Sequence, residues 1–167
     1  ADWIPPDAYE DRATIPIVRH LLDSMVEANM NALRVWGGGR YERDEFYDLC
    51  DEMGLMVWQD FMMACAAYPD EPALMREYEA EARHQVRRLQ HRAGIALWCG
   101  DNENLSGMQH WWRKLPDFPR LKRAYRRVTN LFGRVARHED PTRAFWVSSP
   151  SNGSLAGNAG DGDLTTY

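Results

Sequence analysis

The chain has 167 residues, with 25 acidic side chains against 20 basic ones and a formal net charge of −5. This acidic balance argues against nucleic-acid binding, which needs a basic face, and no apolar run approaches the roughly 20 residues of a membrane-spanning helix. The length holds one ordinary domain and falls short of the roughly 250 residues of a complete (β/α)8 barrel.

Trp3-Ile4 reads as the end of a first strand. Ile15, Val18, Leu22, Met25, Val26 and Asn29 recur at helical spacing and predict the first helix. Ala32-Leu33-Arg34-Val35-Trp36 is short and β-prone. Phe46, Leu49, Cys50 and Met53 mark a second helix, with Gly54 where a left-handed glycine would end it. Leu55-Met56-Val57-Trp58 follows as a strand. Leu74, Tyr78, Ala82, Val86 and Leu89 trace a third helix, preceded by Pro69 and Pro72. Ile95-Ala96-Leu97-Trp98 is the next strand. Leu121, Tyr125, Val128, Phe132 and Val135 give a fourth helix, closed off by Pro141, and Ala144-Phe145-Trp146-Val147 reads as the last strand.

Strands alternating with helices imply a parallel sheet with crossover helices. The strands are apolar runs, which suits burial on both faces. Trp36, Trp58 and Trp98 each close a predicted strand, and Trp146 sits within another. The carboxyl edge of such a sheet is where ligands bind. Polar or flexible residues follow at that edge: Gly37-Gly38-Gly39, then Gln59-Asp60, then Cys99-Gly100-Asp101-Asn102-Glu103. The stretch from Ser148 to Thr166 reads as a long loop.

Three cysteines, Cys50, Cys65 and Cys99, do not make a disulfide framework or a zinc motif and are expected as buried free thiols. The five histidines form no metal-ligand pair, so no metal site is expected. The Gly37–Gly39 run lacks the spacing of a phosphate loop and reads as a tight turn. Asp101, Asn102 and Glu103 place two carboxylates and an amide just past a buried strand. Partial desolvation there would suit a carboxyl to proton donation, and the amide to holding a hydroxyl. The alternative is a loop whose Asp and Asn cap the following helix. Asp60 either binds sugar hydroxyls, orients another side chain, or serves as a cap or an arginine's ion-pair partner. Of the adjacent Trp111 and Trp112, one reaches the cleft as a stacking wall or packs on a neighbouring helix.

These segments, taken together and in order, resemble the β-mannosidases of glycoside hydrolase family 2. Asn29-Met30-Asn31-Ala32-Leu33-Arg34-Val35-Trp36-Gly37-Gly38-Gly39, Glu45-Phe46-Tyr47-Asp48-Leu49-Cys50-Asp51-Glu52 and Val57-Trp58-Gln59-Asp60-Phe61 carry the likeness first. Ile95-Ala96-Leu97-Trp98-Cys99-Gly100-Asp101-Asn102-Glu103 and Ser148-Ser149-Pro150-Ser151-Asn152-Gly153 continue it along nearly the whole chain.

The resemblance implies an α/β chain: a partial (β/α)8 TIM barrel holding about strands 1–5, with residues 1–167 as one partial catalytic domain. Ala1 lies inside a motif and Tyr167 follows the fifth strand, so the expectation is a segment of a longer enzyme. The preceding sandwich domains and the later barrel strands would lie outside it. The implied activity is retaining hydrolysis of terminal β-mannosides, with no cofactor, no nucleic-acid partner and no membrane. Glu103 maps onto the acid/base and Asn102 onto the residue that binds the sugar 2-hydroxyl. Trp36 and Trp111 would line the sugar site with Asp60 nearby. Asp101 departs from the family, where Asn is common, and would raise a carboxyl pKa by repulsion if it shared the cleft with Glu103. The nucleophile would lie on a later strand. Other family 2 specificities (β-galactosidase, β-glucuronidase, exo-glucosaminidase) and a non-catalytic carbohydrate-binding module are the alternatives. Free thiols and no visible leader favour a cytoplasmic setting, with the periplasm or lysosome open for the whole enzyme.

Overall fold

The computed structural model describes residues 1–151, so the later part of the long loop, Asn152 and Gly153 included, lies outside the described residues. The elements run β1 (Asp2–Trp3), α1 (Ile15–Glu27), β2 (Ala32–Val35), α2 (Asp44–Met53), β3 (Met56–Asp60) and α3 (Pro72–Leu89). They continue with β4 (Ile95–Cys99), a single turn α4 (Asn104–Ser106), α5 (Phe118–Glu139) and β5 (Ala144–Trp146). A π-helical turn, Gly107–Trp111, follows α4 directly.

All five strands are parallel and pair strictly in chain order, β1-β2-β3-β4-β5. A doubly wound sheet would reverse its strand order at a switch point. Steady progression is instead the pattern of consecutive units of a (β/α)8 barrel.

Local chemistry sets the helix ends. Pro72 opens α3 at a position where its missing N–H costs no hydrogen bond. Gly54 ends α2 with φ of 69°, and Leu55 N–H returns to the Cys50 carbonyl. Asn29 is not the last helical residue of α1, as its spacing suggests. It takes φ of 58°, and the next amide, Met30 N–H, bonds back to the Met25 carbonyl. Asn tolerates the left-handed region better than most residues and here does the work of a terminating glycine.

Helices α1, α2, α3 and α5 cover one sheet face with a continuous core. Leu22, Leu33, Val35, Phe46, Val57, Val86, Leu89 and Phe132 are all essentially inaccessible. Phe61, just past β3, stacks on Phe132 of α5 with ring centroids 4.7 Å apart, and on Trp98 at 5.9 Å. Arg143 braces the turn between α3 and β4 through the carbonyls of Gln90, Arg92 and Ile95. Arg83 and Arg87 of α3 both reach Glu139 at the end of α5.

Trp58 and Trp98 do not close their strands, because β3 and β4 each run further. They also face opposite ways. The Trp98 indole N–H donates to Asp140 among the helices, whereas Trp58 donates to Asp60 on the other face. Trp58 and Trp98 therefore occupy opposite faces of the sheet.

Phe132 joins the helix layer to the start of the β3–α3 loop. Phe132→Ala should cost about 3–5 kcal/mol by lost burial and cavity formation, read as a lower denaturation midpoint with an unchanged m-value.

Candidate active site

At the carboxyl edge the chain turns inward from β2, β3 and β4 in succession. Arg34 and Asp60 project from neighbouring strands onto the face away from the helices. Their side chains are 7% and 0% exposed. A buried guanidinium needs both a counter-charge and hydrogen-bond acceptors. Arg34 Nε lies 3.2 Å from each Asp60 oxygen, and its Nη2 donates to Asp60 Oδ2 at 2.7 Å. The same Nη2 donates to Asn102 Oδ1 at 2.9 Å. Gly37 N–H and the Trp58 indole N–H complete the donors to Asp60. Burial raises the Asp60 carboxyl above its ordinary pKa, while Arg34, Gly37 and Trp58 pull it back.

The Gly37–Gly39 turn follows from this packing. A Cβ on Gly37 would come within 2.7 Å of the Phe61 carbonyl, and one on Gly38 would enter the Trp36 ring. The glycines let the loop lie against the end of β3 and let Gly37 N–H reach Asp60. Trp36, half-buried, folds over this turn at the edge of the site.

The β4 extension holds the central pair. Asn102 bridges Ala64 on one side and Ser149 on the other, so the sheet continues one step beyond its named strands. Its Nδ2 donates to Cys65 Sγ at 3.4 Å. Glu103 follows in the left-handed region at φ of 63°, and Cys65 opposite has φ of 50°. Such conformations cost of order 1–3 kcal/mol each for ordinary residues and persist only where the surroundings fix them. Those surroundings are explicit. Glu103 N–H bonds the Ser149 carbonyl, Cys65 N–H the Asn102 carbonyl, and Ala66 N–H the Asn104 side chain. Glu103 is half-buried, and its Oε2 accepts from the Cys65 thiol at 3.2 Å.

Asp101 does not share the cleft with Glu103. It is 2% exposed and turns inward, where its Oδ1 accepts from Asn104 N–H and the Ser148 hydroxyl. Its pKa rises from 3.8 to about 7 because burial penalises the charge; repulsion from Glu103 is not among the causes. Capping the next turn, one of the alternatives open for this loop, is what Asp101 does. Trp111 and Trp112 lie at the end of the π-helical turn and just past it, not on a loop. They meet edge to face at 5.9 Å; Trp112 packs on a second apolar cluster with Leu105, Met108 and Tyr125, while Trp111 stays 50% exposed. Cys50 and Cys99 are buried as expected, but Cys65 is exposed.

The structure thus joins Asp60, Asn102 and Glu103 through two residues that sequence reasoning did not select, Arg34 and Cys65. Arg34 carried a signal, since a charge inside an apolar strand must find a partner. Cys65 carried none beyond its place after β3. Among the described residues no cluster of His, Cys, Asp and Glu could hold a metal ion, and no helix is long and apolar enough to cross a membrane.

Solved glycosidase structures share this progression of parallel strands. A Bacteroides uniformis β-glucuronidase shares the fold with a TM-score of 0.69 at 22% identity, over 79% of this chain and 15% of its own. More specifically, the chain is homologous to the β-mannosidases. It is 47% identical to the goat (Capra hircus) enzyme over 159 residues, 92% of this chain. The β-D-mannosidase of Dictyoglomus thermophilum superposes with a TM-score of 0.85 at 42% identity, over 93% of this chain and 19% of its own. No protein-family model matches the chain. It spans 18% of the length of the goat relative.

Two outcomes test this geometry. Asp60→Ala should destabilise the fold by about 3–5 kcal/mol, because it leaves the buried Arg34 with only the half-exposed Asp2 carboxylate, 3.7 Å from its Nη1, as counter-charge; chemical denaturation measures this. The Asp101 carboxyl binds its proton at about 7 when folded against 3.8 when unfolded. The folded state therefore holds more protons in that window, and this group's contribution to stability, fullest below about pH 4, declines as pH rises towards 7. Its slope approaches about 1.4 kcal/mol per pH unit. Asp101→Asn should flatten the measured pH dependence of stability between those values.

Proposed function

We propose that the protein carrying this chain is a retaining exo-glycosidase acting on terminal β-mannosides, with Glu103 as its general acid/base. The observation that carries this reading is the position of Glu103. It is a half-buried carboxylate at the carboxyl edge of β4, directly after Asn102, in a chain homologous to β-mannosidases. In this reading residues 1–167 supply the first five strands of the catalytic barrel.

Glu103 gives its proton to the glycosidic oxygen as the bond to the sugar breaks. A second carboxylate, about 5–5.5 Å from the acid in a retaining enzyme, attacks the anomeric carbon and forms the glycosyl-enzyme. We assign that group to the remainder of the protein, because Asp60 and Asp101 are both turned into internal networks. Water then attacks, and Glu103 takes its proton. Asn102 has one amide hydrogen beyond its bond to Cys65, and this one meets the sugar 2-hydroxyl. Trp36 and Trp111 offer ring faces to the sugar. Asp60, with no exposed surface, acts through Arg34 and does not touch the sugar itself.

Glu103→Gln keeps the shape and removes the acid. It should lower kcat/KM by about 10²–10⁴-fold on mannosides with poor leaving groups and far less on an activated aryl mannoside, whose departure needs no proton. Equal slowing of both substrates would count against the assignment. A panel including β-galactosides and β-glucuronides on the unmodified enzyme separates the specificities.

A further inference from the structure

Two of the three non-glycine residues with positive φ among the described residues, Cys65 and Glu103, touch each other through their side chains. They lie on different loops, one after β3 and one after β4. We propose that Cys65 is a positioning residue for the proposed reaction: its Sγ–H fixes the Glu103 carboxylate while its sulfur anchors the Asn102 amide, so that one thiol sets acid and 2-hydroxyl donor in a common register. The inference rests on the acid role proposed for Glu103.

Three observations support it. The thiol lies 3.2 Å from Glu103 Oε2 and 3.4 Å from Asn102 Nδ2, so its one hydrogen and its lone pairs serve the two groups the chemistry would use. Its backbone is pinned independently of its side chain. Cys65 N–H bonds the Asn102 carbonyl, Ala64 N–H the Tyr68 hydroxyl, and Ala66 N–H the Asn104 side chain. Removing the sulfur therefore need not release the loop. The residue is also exposed, unlike Cys50 and Cys99, so burial in the core does not account for a thiol at this position. Partial desolvation and the adjacent Glu103 push the thiol up, which keeps it protonated and donating near neutral pH.

A group that merely packs and a group that aims the acid make different kinetic demands. Loss of packing slows every substrate alike. Loss of aim is felt where proton donation limits the rate. In the whole enzyme, Cys65→Ala should lower kcat/KM on an alkyl β-mannoside about tenfold, the worth of one hydrogen bond to a charged group. On 2,4-dinitrophenyl β-mannoside the same variant should stay within about twofold of wild type in kcat/KM, because proton donation is not needed there and Arg34 still holds the Asn102 amide. Cys65→Ser, whose hydroxyl still donates and accepts, should recover most of the alkyl-mannoside rate. The inference is overturned if Cys65→Ala slows both substrates equally, if it slows neither, or if Cys65→Ser fails to recover the rate while unfolding at the wild-type temperature. Glu103→Gln run alongside separates the two readings. A leaving-group effect in Glu103→Gln with none in Cys65→Ala removes only the role of Cys65. No leaving-group effect in Glu103→Gln removes the acid assignment itself.

Discussion

The carboxyl edge of this sheet depends on one buried ion pair. Arg34 and Asp60 sit on adjacent strands with almost no exposed surface, and a charge so placed tolerates only a narrow set of neighbours. Asp60 must collect donors, and it does so from β2's own turn at Gly37 and from Trp58 on its own strand. Arg34 gives a further Nη2 hydrogen to Asn102 beyond β4, while its Nη1 faces Asp2 of β1. Three strand ends are thereby fixed relative to one another by the electrostatic needs of two side chains. The glycine turn, which a phosphate-loop reading would misplace, follows from the same demand.

A second constraint acts one step further out. The segment after β3 and the segment after β4 each hold a residue in the left-handed region at a cost that only neighbouring bonds can offset. The offsetting bonds run between these two segments and the start of the β5 extension at Ser149. The rigidity that holds the Glu103 carboxylate in place thus comes from backbone pairing that continues the sheet. Helix packing supplies the platform: Phe61 is clamped between Phe132 and Trp98 immediately before the loop begins. Side chains supported in this way are held in orientation beforehand, as the acid role proposed for Glu103 requires.

The fold was largely legible because its signals are local. Apolar runs gave the strands, 3.6-residue spacing gave the helices, and Gly54 and Pro72 marked ends by backbone chemistry alone. Asn29 misled because a polar residue at helical spacing and a left-handed terminator look alike in one dimension. The tryptophans misled for a related reason. An offset of one residue within a strand changes the face a side chain occupies, so Trp58 and Trp98, one step out of register, part company although both follow apolar runs. At the site, the residue types after each strand marked one edge of the sheet, but partnership did not show. Whether Asp101 looks into the cleft or into the protein depends on Ser148, 47 positions away. That Cys65 meets Glu103 depends on two loops 38 positions apart.

The same framework also separates what the fold contributes from what the side chains contribute. A β-glucuronidase shares the fold at 22% identity, and a shared fold does not by itself fix a substrate. Discrimination has to come from groups that meet hydroxyls whose orientation differs between sugars. A mannoside carries its 2-hydroxyl axially, and in the proposed arrangement the group that meets it is the Asn102 amide. That amide is oriented from behind by Arg34 through its oxygen and from the side by Cys65 through its nitrogen. With both ends held, its free hydrogen has one direction. A hydroxyl in the other orientation would leave that donor unpaired in a nearly buried position, which is costly. Specificity for the 2-position would then arise from residues that need not touch the sugar, acting through the one that does.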